Sequence, residues 1–473
     1  MTKHYKYFPY ILAIMFIPWI ALLASNGSTI VDRIEMISPV LFLIILAVAP
    51  YFLWKMDVKF RMILLPLLFL STIALLYFYQ QQYLLSVSFD FMRFAALLPL
   101  YYIIGEAIAF DFIFIGTPAT NTFYMAAGAV LSNFIGGPAA SLLLLKPFLR
   151  ANRYRKYSAH TVVFFIIIVA NAAAFLSPLS NTHLYMAFLK GFSEDNFIKF
   201  VPVWLVVVGS LLFMFYVVDG VLIWKEPQKE DPAKKLANAL HNALRKEELR
   251  QSLVLKAIQY LERPTLRIAG AYNFWLFPLA ILIIIMTSAS TSKIPYREIG
   301  LIVIAVYSYI VTPVFQNKKN VAIRLLDLVF LYSFAYFIVG IVAGMIVEQF
   351  PFYINNITHA WFITAISGFM DNVPASIIIF NPEFLSRSIL DDSAFFSELI
   401  FSEKKLKHIV TILTGISIFG GLSYIGNYVN IIIKHEAETT GVKMPNFFQY
   451  MFYSVPVILI ISVISVLFLY FTP

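Results

Sequence analysis

Asp371 lies in ISGFMDNVPASIIIF, a stretch whose other residues are apolar, small or neutral. A carboxylate at mid-bilayer costs at least roughly 2.5–3.5 kcal/mol on insertion scales, so it should face the protein interior or water. A carboxylate taken out of water holds its proton to higher pH, and could then exchange a proton for a cation near neutrality. It could equally cap a half-helix by accepting backbone N–H bonds. Neutral oxygens occur in two sets that could line a pair of sites, the second together with Asp371 and Gly426. Ser132, Asn133, Ser177, Ser180, Asn181 and Thr182 make one, and Ser367, Asn372, Ser423, Asn427 and Asn430 the other. Such oxygens suit a hard cation of single charge such as sodium. Gly136, Gly137, Pro138, Pro374 and Gly426 interrupt the apolar runs beside them. A helix broken there exposes carbonyl ends that suit sodium and N-termini that suit an anion. His183 directly follows Ser-Asn-Thr and is a second candidate proton carrier, because histidine titrates between about pH 5 and 8. Taken singly, each Ser or Gly is more plainly read as a close-packing residue of a membrane helix. Their clustering at paired positions argues for a site.

The pairing is explicit. LSNFIGGPAASLLLLKPF begins at Leu131 and ISGFMDNVPASIIIFNPE at Ile366. Ser132/Ser367, Ser141/Ser376 and Pro147/Pro382 match at a constant offset of 235 residues. A second phrase follows each: FLSPLSNTHLY from Phe175 and GLSYIGNYVNI from Gly421. Leu176, Ser177 and Asn181 match Leu422, Ser423 and Asn427 at an offset of 246. Lipid leaves no backbone polar group unpaired, so a broken helix must face protein or a water-filled cavity. Paired interrupted helices are the mark of a secondary transporter built from inverted repeats.

The elements that must position these residues follow from composition. Of 473 residues, 60% are hydrophobic and 13% charged, against roughly a quarter charged in soluble domains. The mean hydropathy is +0.80. The long apolar runs predict an all-α polytopic membrane protein, not a β-barrel with its short alternating strands. Spans are expected at 8–25, 37–54, 61–79, 91–112, 160–190, 201–224, 268–290, 297–315, 322–348, 408–435 and 447–471, about eleven crossings. The broken phrases occupy 118–149 and 357–386 and read as two re-entrant hairpins. The first run has basic flanks and no convincing cleavage site, so it reads as a retained span.

Basic residues set the orientation. Lys55, Lys59 and Arg61, then Arg150, Arg153, Arg155 and Lys156, then Lys318, Lys319 and Arg324, and the linker 225–267 all fall inside when the N-terminus is cytoplasmic, as the positive-inside rule requires. The C-terminus is then external. Lys404, Lys405 and Lys407 fall outside, accompanied by Asp391, Asp392, Glu398 and Glu403. The division is an extra span and loop (1–36), a first inverted repeat (37–224), an amphipathic cytoplasmic linker (225–267) and a second repeat (268–473). Glu106, Asp111, Asp219 and Asp327 lie near inner span ends; Asp219 and Asp327 are expected to pair with linker or loop cations. The net charge of +9 therefore reports topology and gives no reason to expect nucleic acid.

These phrases resemble the ion transporter superfamily: arsenite permeases, NhaD-type sodium/proton antiporters, citrate transporters and divalent anion/sodium symporters. The similarity runs from about Gly105 to the C-terminus, through SNFIGGPAASLLLLKPFLRAN, LSPLSNTHL, DNVPAS, GGLSYIGNYVN and GVKMPNFFQYMFYSVP. It is weak in the linker and at 391–407. The resemblance implies two opposed hairpins, a central site, an elevator-like movement against a scaffold, a homodimer and a bacterial inner-membrane location. The antiporter group reads Gly-Asp-Pro-Pro where this chain has Ser180, Asn181, Thr182 and His183, and an Arg where this chain has Lys146.

The leading expectation is a sodium:proton antiporter using Asp371, with His183 assisting. The alternatives are a sodium-coupled symporter of citrate, dicarboxylate or a similar anion, and an arsenite-type permease. The partners are small ions or a small anion and the lipid bilayer, with sodium as coupling ion or substrate and no other cofactor. The histidines are scattered without metal or catalytic spacing, which argues against an enzyme. The linker carries no ATP-binding motif, so ion gradients would supply the energy.

Overall fold

The computed structural model describes residues 81–112, 116–153, 155–226, 266–287, 295–312, 357–380, 400 and 403–471, with isolated positions between 64 and 77 and between 325 and 329. The expected spans at 8–25 and 37–54, most of 61–79 and 322–348, the linker from 227 to 265, and the end of the second hairpin from 381 lie outside the described residues.

The architecture is mostly helical. Three stretches among the described residues are long and apolar enough to cross a bilayer without a break: Val87–Ala107, Glu194–Trp224 and Phe447–Phe471. The first is α1 (Gln81–Ala95) continued by a π-helical turn, Leu100–Ile104, to Ala107. It stops short of the expected end at 112. Residues Ala109–Phe112 instead form β1, which pairs antiparallel with β2 (Leu266–Ala269) in the register Ala109 to Ala269. The expected seventh span accordingly begins later, with a 3-10 turn at Ala271–Trp275 leading into α7 (Leu276–Met286). Gly270 makes this turn at φ +72, a left-handed conformation that glycine adopts without steric cost.

The first hairpin is α2 (Pro118–Ile135) and α3 (Gly137–Asn152), packed on each other. Thr117 starts it: its hydroxyl accepts from Thr120 N–H at 3.2 Å, and Thr120 Oγ1 accepts from Thr117 N–H at 2.9 Å. This reciprocal box, with Pro118 at the first helical position, fixes the N-terminus. Gly136 breaks the pair at φ +89.

The next expected span, 160–190, is two pieces. α4 (Ala159–Phe165) runs into a π-helix at Ile166–Ala172, the chain unwinds, and α5 (Thr182–Leu189) resumes. Every residue from Ile166 to Phe175 is fully buried, which suits a segment apolar on all sides. α6 (Val201–Trp224) follows, then α7 and α8 (Tyr296–Val311) beyond the linker.

The second hairpin begins with α9 (Ile357–Ile363) and a 3-10 turn, Thr364–Gly368; it breaks at 369–371 and resumes as α10 (Asn372–Phe380). The span expected at 408–435 is α11 (Glu403–Phe419), a break, and α12 (Tyr428–Thr439). α13 (Phe447–Phe471) closes the chain and packs on α6.

Candidate functional site

In the first half, the unwound chain after the π-helix is tied to the hairpin break. Asn133 Oδ1 accepts from the N–H groups of Phe175 (3.1 Å) and Leu176 (2.8 Å). Ser177 Oγ donates to the Asn133 carbonyl at 2.6 Å. Gly137 N–H, opening α3, donates to the Ser180 carbonyl at 2.8 Å. Asn181 caps α5, its Oδ1 accepting from Thr182 N–H at 2.8 Å. Tyr101, from the π-turn before β1, donates to the Leu179 carbonyl at 2.5 Å and lies over Gly136. A Cβ on Gly136 would run into both Tyr101 and that carbonyl, so position 136 requires glycine for space as well as for φ. Pro138, in the first turn of α3, needs no N–H donor there.

The second half repeats much of this geometry. Ser423 Oγ donates to the Gly368 carbonyl at 2.6 Å, as Ser177 does to Asn133. Gly426 N–H donates to the Ser423 carbonyl (3.4 Å) and Ser180 N–H to that of Ser177 (3.0 Å). Asn427 caps α12 by accepting from Val429 N–H at 3.2 Å. Ser132 and Ser367 each donate to the carbonyl three residues earlier, at 2.8 and 2.9 Å. Each pair keeps the offset seen in the sequence, 235 in the hairpins or 246 in the broken helices.

The halves differ where Gly136 is matched by Asp371. The Asp371 carboxylate is half-buried and accepts from two helix starts: Val373 N–H of α10 at 3.3 Å and Tyr428 N–H of α12 at 3.0 Å. The capping role is therefore real. Pro374 is buried inside α10.

The two halves meet through carboxamides. Asn171 donates to the Ile166 carbonyl (2.8 Å) and to Asn430 Oδ1 (2.8 Å), and accepts from Asn427 Nδ2 (2.9 Å). Asn430 in turn donates to the carbonyls of Gly420 (2.8 Å) and Ser423 (3.0 Å). The amide of Asn372 fits its surroundings in two ways. Its nitrogen donates to Asn181 Oδ1 at 3.3 Å, or, turned over, to the carbonyls of Ile416 and Gly426 at 3.3 Å each. The second orientation gives both the oxygen and the nitrogen of the amide suitable partners. A Cβ on Gly426 would lie 2.7–3.1 Å from the carbonyls of Gly420, Ser367 and Gly368. Asn171, Asn181, Asn372, Asn427 and Asn430 are all buried. Among the described residues, no three His, Cys, Asp or Glu side chains come together as a metal site. The donor set is one of neutral oxygens and amides, fit for an alkali cation and for hydrogen bonds to a carboxylate.

A cavity of about 530 Å³ lies beside the first-half break and outside the carboxamide cluster, lined by Asn133, Ser177, Leu179, Trp204, Ile284 and Glu194 among other, mainly apolar residues. Glu194 Oε1 is buried and has no hydrogen-bond partner. Trp204 Nε1 donates to the Ala173 carbonyl at 2.7 Å, satisfying one group freed by the unwound chain.

Asn171 and Tyr101 belong to this region, and Glu194 to the cavity beside the first break; none is singled out by the sequence phrases. For Asn171 a signal exists, the only polar residue in FFIIIVANAAAF, but one buried amide reads as packing. His183 is fully buried; its Nε2 lies 3.1 Å from both the Leu413 carbonyl and Ser417 Oγ, while Nδ1 has no hydrogen-bond partner. It faces α11, not the carboxamide cluster. Asp219 lies elsewhere, pairing with Arg155 (2.5 Å) and His160 (2.7 Å) and accepting from Asn121 (3.1 Å).

No curated protein matches the chain. The family described as "Putative citrate transport" matches residues 29–471, nearly the whole length and all of the geometry above. The chain with these paired, capped helix breaks belongs to that family.

Proposed function

We propose that the chain is a secondary transporter that carries a citrate-like carboxylate anion across a membrane together with sodium, by alternating access between two inverted halves. One observation carries the reading. Four half-helices, α3, α5, α10 and α12, begin at one buried place whose side chains are neutral amides and hydroxyls, with one carboxylate among them.

The halves divide the work. In the second, Ser367, Asn372, Ser423, Gly426 and the carbonyls around them form an oxygen-rich cradle suited to sodium, and Asp371 already occupies the helix starts. In the first, α3 and α5 start without any carboxylate, because Gly136 and Asn181 stand there. The positive ends of these helices, with the amides of Asn133 and Asn181, suit the carboxylates of a substrate. The family description, which names citrate, points to the same class. Residues 37–224 and 268–473 are then the two halves, with about eleven spans, a cytoplasmic N-terminus, an external C-terminus and a plasma-membrane, homodimeric setting.

A second reading is sodium:proton antiport with Asp371 as the shared ligand. The carboxylate favours it by its place between two helix starts. Proteoliposomes separate the two. Labelled citrate should accumulate under an inward sodium gradient at equal pH, the accumulation should fall at least tenfold in Asn372→Ala, and much of it should survive in Asp371→Asn. Sodium-induced proton release without citrate uptake, lost in Asp371→Asn, would install the antiporter. Neither response, in folded protein, would remove both readings.

A further inference from the structure

A second cavity, of about 590 Å³, lies away from the carboxamide cluster. Two segments far apart in the chain line it: the end of α3 with the loop to α4, and the loop between α12 and α13. They bring together Arg150, Arg153, Arg155, Lys156 and Lys443, and no Asp or Glu is among the described residues lining it. Arg155 is held from behind by Asp219 and by Glu226 at 3.7 Å. All three of its guanidinium nitrogens are buried, so its charge is spent on these carboxylates and not offered to the cavity. Tyr157 and Tyr453 add aromatic walls.

Some of this charge has a local use. The cavity adjoins the C-terminal ends of α3, α6 and α12, whose partial negative charge favours cations. The other four, Arg150, Arg153, Lys156 and Lys443, are exposed, and four exposed cations on one concave wall of this size, drawn from both halves of the chain, go beyond that use. The surroundings identify the ligand's other end. Leu222 of α6 and Tyr453 of α13 line the cavity, and both helices carry an exposed apolar surface: Trp224 is 84% exposed, Phe452 79% and Phe448 73%. A charged recess continuous with a surface made for acyl chains fits a molecule with both parts.

We infer that this cavity binds a phosphate-bearing anion, and that the phosphate is the headgroup of an anionic phospholipid whose chains lie along α6 and α13. The site is separate from the transport site, and the inference stands whatever substrate is carried.

Native mass spectrometry on the purified full-length protein tests it. Phosphatidylglycerol and phosphatidylcholine are offered during graded delipidation, with inorganic phosphate as competitor. Wild type should retain phosphatidylglycerol in preference to phosphatidylcholine. The triple variant Arg153→Gln, Lys156→Gln, Lys443→Gln should lose that preference, at about fivefold per cation removed. Equal retention by wild type and the triple variant would overturn the site. Displacement of phosphatidylglycerol by inorganic phosphate at matched concentration would overturn the lipid assignment and leave a free-anion site. If the triple variant does not fold, Lys443→Gln alone, in an exposed loop, carries the test with a fivefold loss expected.

Discussion

Asn171 is the residue on which most of the central network turns. It gives two hydrogen bonds and takes one, all within the buried centre. Replacing it by alanine leaves the Ile166 carbonyl and the amides of Asn427 and Asn430 each short of a partner. An orphaned buried polar group costs about 1–3 kcal/mol. Asn171→Ala should therefore lower the thermal unfolding midpoint by several degrees and weaken sodium binding in calorimetry; an unchanged midpoint would mean the network is not coupled as described. Sequence reading could not reach this residue. Its partners at 427 and 430 are distant in the chain, and a lone amide in an apolar run announces no contact. Asp371 was legible, because a carboxylate in such a run carries a cost that demands an explanation. Its bridging of α10 and α12 was not, because the second helix start, at Tyr428, lies 57 residues farther along the chain.

At the scale of elements, the breaks were legible and their fastening was not. Gly-Gly-Pro at 136–138 and the Ser, Pro and Gly positions at 177–178 and 423–426 cannot continue a helix comfortably, and the chain unwinds there. That Ser177 and Ser423 would each clamp a hairpin carbonyl at 2.6 Å depends on two elements meeting. These two clamps give a matched prediction. Ser177→Ala and Ser423→Ala should each cost about 1 kcal/mol in unfolding free energy, each should reduce transport, and the two costs should agree within about a factor of two. A loss confined to one serine would argue that the halves do not carry equivalent loads. The π-turns at Leu100–Ile104 and Ile166–Ala172 were invisible to the apolar pattern, since a run of Ile, Val and Leu fits either winding. They place Tyr101 over Gly136 and Asn171 at the centre.

The whole molecule is a membrane protein whose long helices α6 and α13 present apolar faces outward. The absence of cysteine makes its orientation directly measurable. With the N-terminus cytoplasmic, a single cysteine at Lys156 should react with an impermeant maleimide only from inside, and one at Asp195 only from outside. The reverse pattern would invert the topology and the direction of every gradient assigned above. The basic loops are what predict this orientation from sequence, and the labelling pattern is its test. The β1–β2 ribbon was not legible there, because Ala109–Phe112 looks like the tail of an apolar span, and its partner strand Leu266–Ala269 begins at the far side of the linker.

That ribbon bears on what the linker is for. It stitches the segment after the first described helix to the segment just before α7. Asn273 adds to the stitch, its Nδ2 donating to the Ala107 carbonyl at 3.4 Å. If this ribbon is enough to hold the two parts of the chain together, the covalent connection through 227–265 should be dispensable for their assembly. Cutting the gene within that stretch and expressing the two fragments together should yield a pair that co-purifies and still binds sodium. Changing Asn273 to alanine should make that pair come apart more readily while leaving the unbroken chain intact. The protein would then behave as a natural heterodimer whose subunits happen to share one reading frame.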